Sequence, residues 1–255
     1  MLSLKPVRPD PIPCKICGEA APLYGSVDFN RCCEIPGAVT LPPTNQAVFY
    51  RRCGGCGFLF TDAFDDWSEA DYKAHIYNDG YLAVDPEYVE ARPRNNAATV
   101  AALFGRGSSK PRVLDYGGGN DVLCSVLRAA GFPTAITYDP FVPEHATPPA
   151  GRYDLVTCFE TLEHMPDPVA GIEAMLAYLD EPGLVLFSTL LQPADFHAAG
   201  LKWWYVGPRN GHISLFSRDA LAKAFGRHGC RTGSFNDNLH IAFRTLPDYA
   251  RHLLK

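Results

Sequence analysis

Short apolar runs recur through the second half of the chain and predict strands. The segments 112–116 and 134–140 are short predicted strands, and 153–159 is a continuous apolar run, which is typical of a parallel strand that is covered on both faces. The segment 183–190 has the same character, whereas 238–244 alternates between apolar and polar residues. Alternation indicates one exposed face, so we expect the last strand at or near an edge of the sheet.

Segments with a helical repeat lie before, between and after these strands. Gly105 and Gly131 are stop signals, and Ser217 suits an N-cap. A further helical stretch is expected around residues 66–82. The predicted helices span 93–104, 121–130, about 167–179 and 217–229. Strands that alternate with helices predict an α/β fold with a Rossmann-like, doubly wound and mostly parallel sheet.

Composition sets wide limits on function. The chain has 255 residues, 47% of them hydrophobic and 20% charged, which allows one substantial core and a small additional domain. No apolar run approaches the ~18 residues that span a bilayer, and the first residues lack an apolar signal region. We therefore expect a cytoplasmic protein. The net charge of −5 argues against binding to a nucleic-acid backbone.

Six of the nine cysteines lie within the first 56 residues. Two Cys-x-x-Cys-Gly segments, CKICG and CGGCG, contain Cys14, Cys17, Cys53 and Cys56. Two such pairs supply the four thiolates of a tetrahedral structural zinc site, so we predict a small N-terminal zinc-ribbon domain. The alternative is a set of unrelated reduced thiols. Cys32 and Cys33 are left outside the predicted site because adjacent cysteines chelate one ion poorly.

A glycine turn follows the first predicted strand of the sheet. Gly117, Gly118 and Gly119 separate that strand from a helix, and Asp139 ends the next strand about 20 residues later. Glycines let the backbone approach a ligand closely, and an acidic residue at this distance suits the hydroxyls of a ribose. A nicotinamide-dependent oxidoreductase is the less favoured alternative, because its fingerprint spaces the glycines differently.

The segments VLDYGGGN, ITYDP and YDLVTCFETLEHMPDP resemble those of class I S-adenosylmethionine-dependent methyltransferases, over roughly residues 95–245. The chain departs from that pattern at Asp121, where a third glycine is usual. The stretch 139–153 is also short, so we expect its helix and strand to be reduced. The resemblance implies that the cofactor is held by Asp115, Gly117, Gly119 and Asp139, with Cys158 and Phe159 beside its methionine end.

Two carboxylates and an imidazole stand together in FETLEHMPD, as Glu160, Glu163 and His164. On a helix, positions three and four apart share a face, and these groups suit a divalent cation. The Glu-x-x-Glu-His pattern looks like that of polyprenyl-catechol O-methyltransferases and of small-RNA 3′-end 2′-O-methyltransferases. In the second group such residues and a later histidine, here matched by His212, hold a cation against vicinal hydroxyls.

Two alternatives to a cation site stay open. In one, His164 or His212 acts as a general base, held by Glu160 or Glu163. In the other, the two glutamates cap a helix and His212 lies in the core.

The segment LKWWYVGPRNGH, residues 201–212, is predicted to cover the substrate. Trp204 and Tyr205 offer flat apolar faces to a substrate, and Arg209 offers a planar cation for a carboxylate or phosphate. In the alternative, the aromatic residues pack in the core and Arg209 is solvated. Cationic residues are frequent in this half: Lys202, Arg209, Arg218, Lys223, Arg227 and Arg231. We expect an anionic, hydroxylated or nucleotide-linked small molecule rather than RNA.

The sequence therefore predicts three parts: a zinc-binding module at 1–62, a helical linker or lid at 63–94, and a methyltransferase domain at 95–255. The predicted function is methyl transfer from S-adenosylmethionine to the hydroxyl of a small molecule, aided by a second divalent cation. The alternatives are a methyltransferase of a nucleotide-linked sugar or an RNA 3′ end, and a catalytically inactive binding module.

Overall fold

The computed structural model describes residues 2–105 and 109–254. In this part of the chain the strands are β1 (Ile12–Pro13), β2 (Ala20–Ala21), β3 (Leu23–Asp28), β4 (Ala47–Arg52), β5 (Leu59–Phe60), β6 (Val113–Tyr116), β7 (Ala135–Tyr138), β8 (Tyr153–Cys158), β9 (Leu179–Ser188), β10 (Ser214–Leu215), β11 (Arg231–Ser234) and β12 (Leu239–Phe243). The α-helices are α1 (Glu69–His75), α2 (Tyr81–Val84), α3 (Ala91–Phe104), α4 (Val122–Ala129), α5 (Pro168–Leu176), α6 (Phe196–Ala199) and α7 (Arg218–Gly226).

The chain divides into two compact units, each built from separate segments. The first unit comprises Met1–Pro86, Leu162–Val169 and Leu190–Ala224, and the second comprises Glu87–Thr161, Ala170–Thr189 and Phe225–Lys255. No helix among the described residues has both the length and the apolar content needed to cross a bilayer.

The second unit contains a six-stranded sheet in the order β11-β12-β9-β8-β6-β7. Strands β9, β8, β6 and β7 are parallel, whereas β12 and β11 are antiparallel to their neighbours. This arrangement confirms the predicted mostly parallel α/β fold. The alternating strand β12 lies next to the edge, as predicted, and the edge itself is β11, which the sequence did not indicate.

The core of this unit forms because α3, α4 and the sheet each bury one apolar face. The fully buried residues include Ala97, Val100, Leu127, Val113, Leu155, Leu184 and Leu186. The stretch between β7 and β8 is reduced, as expected, to a single 3-10 turn at Pro143–His145. Tyr116, Tyr138 and Tyr178 pack together in this unit, with ring centroids 5.6 to 6.3 Å apart.

The first unit contains a four-stranded antiparallel sheet, in the order β10-β5-β4-β3, and the two-stranded β1-β2 sheet. Its apolar core combines residues that are far apart in the sequence, among them Val48, Tyr50, Leu59, Ile76, Trp203, Val206 and Ile213. Arg51 is fully buried on β4 and pairs with Asp62 at 3.1 Å. Residues 190–215 therefore supply much of the core for the N-terminal segment.

Most predicted helices are present with small shifts of their ends. Helices α3 and α4 follow the expected spans, and α7 begins after Ser217, whose Oγ accepts from the backbone N–H of Ala220 at 3.0 Å. The stretch 66–82 forms two short helices rather than one. No helix runs through Glu160 to His164: Leu162–His164 is a 3-10 turn, and α5 begins at Pro168.

Candidate functional site

The glycine turn after β6 is tight enough to exclude larger residues. Gly117 has a φ of +72°, and a Cβ atom there would lie 2.6 Å from the side chain of Thr161. A Cβ atom on Gly118 would lie only 2.3 Å from Oδ2 of Asp115. Both positions therefore need glycine, because real Cβ contacts are not this short.

Asp115 lies beneath this turn and is only 2% exposed. Its Oδ1 accepts a hydrogen bond from Oγ1 of Thr157 at 2.7 Å. Burial raises the pKa of this carboxyl to about 7, since the charged form is poorly solvated there. The structure gives Asp115 a supporting role under the turn; its contact with a cofactor remains a prediction.

Asp139 directly follows the last residue of β7 and lies beside the same turn. Its Oδ2 accepts from the backbone N–H of Gly119 at 2.9 Å, and its Oδ1 accepts from that of Phe141 at 2.8 Å. The two backbone bonds fix the carboxylate at the carboxyl end of the strand, where open parallel sheets bind their ligands.

Asp121, which departs from the usual glycine pattern, has a structural role at the start of α4. It pairs with Arg128 in the same helix and accepts from Oγ1 of Thr137 on β7 at 3.1 Å. These contacts tie the helix to the neighbouring strand. The substitution is therefore compatible with an intact turn.

Glu160 follows the end of β8 in an uncommon backbone conformation. Its φ is +48°, a region that non-glycine residues rarely adopt and that is frequent at functional sites. Ser188 on β9 holds it in place: the Ser188 Oγ accepts from the Glu160 backbone N–H at 2.9 Å and donates to Oε1 at 2.6 Å. The adjacent Cys158 is fully buried and Phe159 is half-buried.

Glu163, His164 and His212 come together in the first unit, where their ligand atoms all lie within 4.8 Å of one another. Glu163 is fully buried and His212 is nearly so. Glu160 belongs to the second unit, and its predicted place beside these three residues stays a prediction. One carboxylate and two imidazoles at this spacing fit a divalent cation such as Mn²⁺, Fe²⁺ or Zn²⁺.

Backbone carbonyl groups orient both imidazoles. Nδ1 of His164 lies 3.1 Å from the carbonyl oxygen of Gly211, and Nδ1 of His212 lies 2.9 Å from that of Tyr205. A carbonyl oxygen can only accept, so Nδ1 of each ring donates the proton. In the neutral ring Nε2 then carries the lone pair, which is the usual arrangement of a metal-binding histidine.

The predicted substrate-binding residues differ in their exposure. Trp204 is 40% exposed, whereas Tyr205 is 3% exposed and its hydroxyl donates to Oε1 of Glu163 at 2.5 Å. Arg209 is also buried, and its guanidinium donates to the carbonyl oxygen of Ile76 at 2.9 Å and to Oδ1 of Asn78 at 3.1 Å. Burial lowers the pKa of this guanidinium. These contacts hold Arg209 within the first unit, so it is not fully solvated, and its binding of a substrate anion stays a prediction.

The four cysteines of the two knuckles form one compact cluster in the first unit. Sγ of Cys14 lies 3.7 Å from that of Cys56, and Sγ of Cys17 lies 3.4 Å from that of Cys53. All four sulfur atoms are within 4.8 Å of one another, which matches the edges of a tetrahedron with Zn–S bonds of about 2.3 Å.

Several hydrogen bonds converge on the sulfur atoms of this cluster. Backbone N–H groups of Gly55 and Cys56 point at the Cys53 sulfur, with N–S distances of 3.3 and 3.4 Å. The hydrogen bond from Cys56 lowers the pKa of Cys14 to about 5, and the same contact raises the pKa of Cys56. The donor set therefore fits a closed zinc site.

Cys33 lies beside the cluster of Glu163, His164 and His212, a contact that the sequence did not predict. Its sulfur lies 3.3 Å from Nδ1 of His212, and burial raises the pKa of the thiol. The two residues are 179 positions apart, and no local pattern connects them.

Comparisons with known proteins place the chain among methyl-transferring enzymes. Residues 88–233, more than half of the chain, match the family model described as "Methyltransferase domain". A ubiquinone biosynthesis O-methyltransferase of Bordetella avium is 53% identical over 66 residues, which are 26% of this chain and 27% of that protein. The enzyme of the same name from Vibrio campbellii is 45% identical over 65 residues, or 25% and 28% of the two chains.

The chain thus aligns with little more than a quarter of the length of these curated relatives. A solved O-methyltransferase family protein from Burkholderia thailandensis superposes with a TM-score of 0.50 at 17% identity, over 71% of this chain and 64% of that one. This likeness supports the fold.

Proposed function

The chain belongs to the family of methyltransferase domains, and on that premise we propose that it methylates a hydroxyl group of a small molecule with S-adenosylmethionine as the donor. The curated relatives that it matches are O-methyltransferases, which supports oxygen as the acceptor atom. Because those matches are short, the acceptor is inferred mainly from the chemistry of the candidate site.

The donor is assigned to the carboxyl end of the parallel sheet in the second unit. The Asp139 carboxylate is proposed to bind the ribose hydroxyls, and the turn at 117–119 allows the backbone close to the ligand. Cys158 and Phe159 are proposed to flank the methionine end. The support is local: Asp139 and Gly119 are joined by a hydrogen bond, and the turn has no room for a Cβ atom at Gly117 or Gly118.

The acceptor hydroxyl is assigned to the cluster of Glu163, His164 and His212. The observation that carries this assignment is that Nδ1 of each histidine lies within hydrogen-bond distance of a backbone carbonyl oxygen, which favours the tautomer with its lone pair on Nε2. A divalent cation bound there would lower the pKa of a coordinated hydroxyl. Glu160, held by Ser188, remains a predicted contact of the acceptor.

The chemical step is a displacement at the methyl carbon. A lone pair of the acceptor oxygen forms the new C–O bond, and the C–S bond breaks with its electron pair on sulfur, leaving S-adenosylhomocysteine. The hydroxyl proton is released to a base. In the alternative without a cation, Nε2 of His164 accepts this proton.

The four-cysteine cluster is proposed to be a structural zinc-ribbon site, and the division at residues 62 and 94 stays part of this proposal. A closed thiolate set leaves no open coordination position for catalysis. Its proposed contribution is to the folding of the N-terminal segment.

The proposal is tested by methyl transfer from labelled S-adenosylmethionine to a panel of acceptors. We expect activity with vicinal dihydroxy compounds, weaker activity with their monohydroxy analogues, and none with the matching amines. The cation is tested with Glu163→Gln rather than with a chelator, because chelators also remove zinc from thiolates. Transfer only to amines, or full activity of Glu163→Gln, would contradict the assignment of the acceptor site.

A further inference from the structure

Tyr205 contacts two of the three cluster residues through two different parts of the same residue. Its side-chain hydroxyl donates to Oε1 of Glu163 at 2.5 Å. Its backbone carbonyl accepts from Nδ1 of His212 at 2.9 Å. Both contacts lie within the first unit, and Tyr205 itself is only 3% exposed.

The ring of Tyr205 adds a third contact. Its centroid lies 4.2 Å from that of the His212 imidazole, with an angle of 55° between the planes. The ring therefore limits rotation of the imidazole while the carbonyl sets its tautomer. The hydroxyl in turn fixes one oxygen of the Glu163 carboxylate.

We propose that Tyr205 is a positioning residue for cation binding by Glu163 and His212. This inference rests on the proposed cation site. The sequence predicted that Tyr205 contacts the substrate, whereas the role proposed here is to hold two ligands of the cation in place. Its burial argues against direct contact with an acceptor. Hydrogen bonds to the outer side of metal ligands orient them and raise their basicity, and losing such a bond typically lowers metal affinity by about 10–100-fold.

Tyr50 offers a matched control. It is fully buried, and its hydroxyl donates to the backbone carbonyl of His212 at 2.7 Å. Tyr50→Phe therefore removes a buried hydroxyl bond to the same residue without touching a side chain of the cluster. If the hydroxyl of Tyr205 only stabilises the fold, the two Phe variants should behave alike.

The experiment is a titration of the zinc-loaded protein with Mn²⁺, followed by electron paramagnetic resonance of the unbound ion. Mn²⁺ prefers carboxylate and imidazole over thiolate ligands. We expect wild type to bind one Mn²⁺ that Glu163→Gln loses. Tyr205→Phe should raise the Kd by about 10–100-fold, while Tyr50→Phe should stay within about threefold of wild type, with similar losses of thermal stability in both.

A second measurement uses variants that restore or omit a hydrogen-bond donor on the side chain at position 205. Tyr205→4-aminophenylalanine is expected to recover the affinity, whereas Tyr205→4-methylphenylalanine, which fills the same volume without a donor, is not. This pair replaces Tyr205→Phe if that variant does not fold.

The outcomes separate the two proposals. If wild type binds no Mn²⁺ that depends on Glu163, the cation site and the role of Tyr205 both fail. If that binding exists but is unchanged by Tyr205→Phe, or is weakened equally by Tyr50→Phe, the role of Tyr205 is wrong and the cation site stands.

Discussion

At the scale of single residues, the buried carboxyl of Asp115 controls the space under the glycine turn. It is almost fully buried and accepts one hydrogen bond from Thr157. The absence of a side chain at Gly118 makes room for its second oxygen. The turn and this carboxyl therefore form one packed group, whose stability depends on the protonation of Asp115.

We predict a stability change with pH that Asp115→Asn removes. The folded-state pKa is raised to about 7, above the value of about 3.9 in an unfolded chain. The contribution of this group is fully present below pH ~4 and is lost as the pH rises through 7, a difference on the order of 4 kcal/mol at most. In urea unfolding from pH 5 to 8, the free energy of unfolding of wild type should fall as the pH rises. That of Asp115→Asn should change less. Parallel profiles would contradict the assignment.

A second prediction concerns Gly118. Gly118→Ala should lower the free energy of unfolding by about 1–3 kcal/mol, because its Cβ atom would overlap Oδ2 of Asp115. Gly226→Ala is the control, since a Cβ atom at the end of α7 meets no atom within 4 Å. That variant should change stability by no more than about 1 kcal/mol. Equal effects of the two substitutions in urea unfolding would show that the turn is less crowded than described.

Residue roles could be read from the sequence only where a local pattern carries them. The glycine turn and Asp139 are a strand–turn–helix signature, and the structure joins them. The contact between Cys33 and His212 spans 179 positions, and the hydrogen bond from Tyr205 to Glu163 spans 42. Neither fact has a local signal.

At the scale of elements, the two cysteine knuckles bring distant parts of the N-terminal segment together. Cys14 pairs with Cys56 and Cys17 with Cys53, across 42 and 36 positions. A shared zinc ion would therefore close a long loop around β3 and β4.

We predict one zinc per chain by elemental analysis, and its loss in Cys17→Ser. Structural zinc binding contributes on the order of 10 kcal/mol to the folding of small modules, so the variant should also expose the N-terminal segment to proteolysis. Cys32→Ser is the matched control, since Cys32 is outside the cluster and its thiol donates to the backbone carbonyl of Asn30. Unchanged zinc content in Cys17→Ser would rule out the four-cysteine site.

The elements that the sequence predicted well are strands with a continuous apolar run and helices with a clear stop signal. Strands β6 and β8 have continuous apolar character, and α3 and α4 have clear stop signals. The strands β1, β2, β5 and β10 have two residues each, which is too short for any repeat. The expected helix face around Glu160 does not form, because that residue has a positive φ.

At the scale of the whole molecule, the chain enters each compact unit more than once. Residues 190–224 join the first unit and contribute Trp203, Val206 and Ile213 to its core. Hydrophobic periodicity indicates that a segment buries one face, but it does not say which distant segment covers that face. A division into contiguous parts is all that a linear reading can propose.

The proposed function depends above all on the binding of an S-adenosyl donor by the second unit through Asp139. Calorimetric titration with S-adenosylhomocysteine measures this binding, with Asp219→Ala as the control because Asp219 forms an exposed ion pair with Lys223. We expect one binding site per chain, with affinity at least tenfold weaker in Asp139→Ala and unchanged in Asp219→Ala. Absence of binding by wild type, or equal affinity in Asp139→Ala, would contradict it.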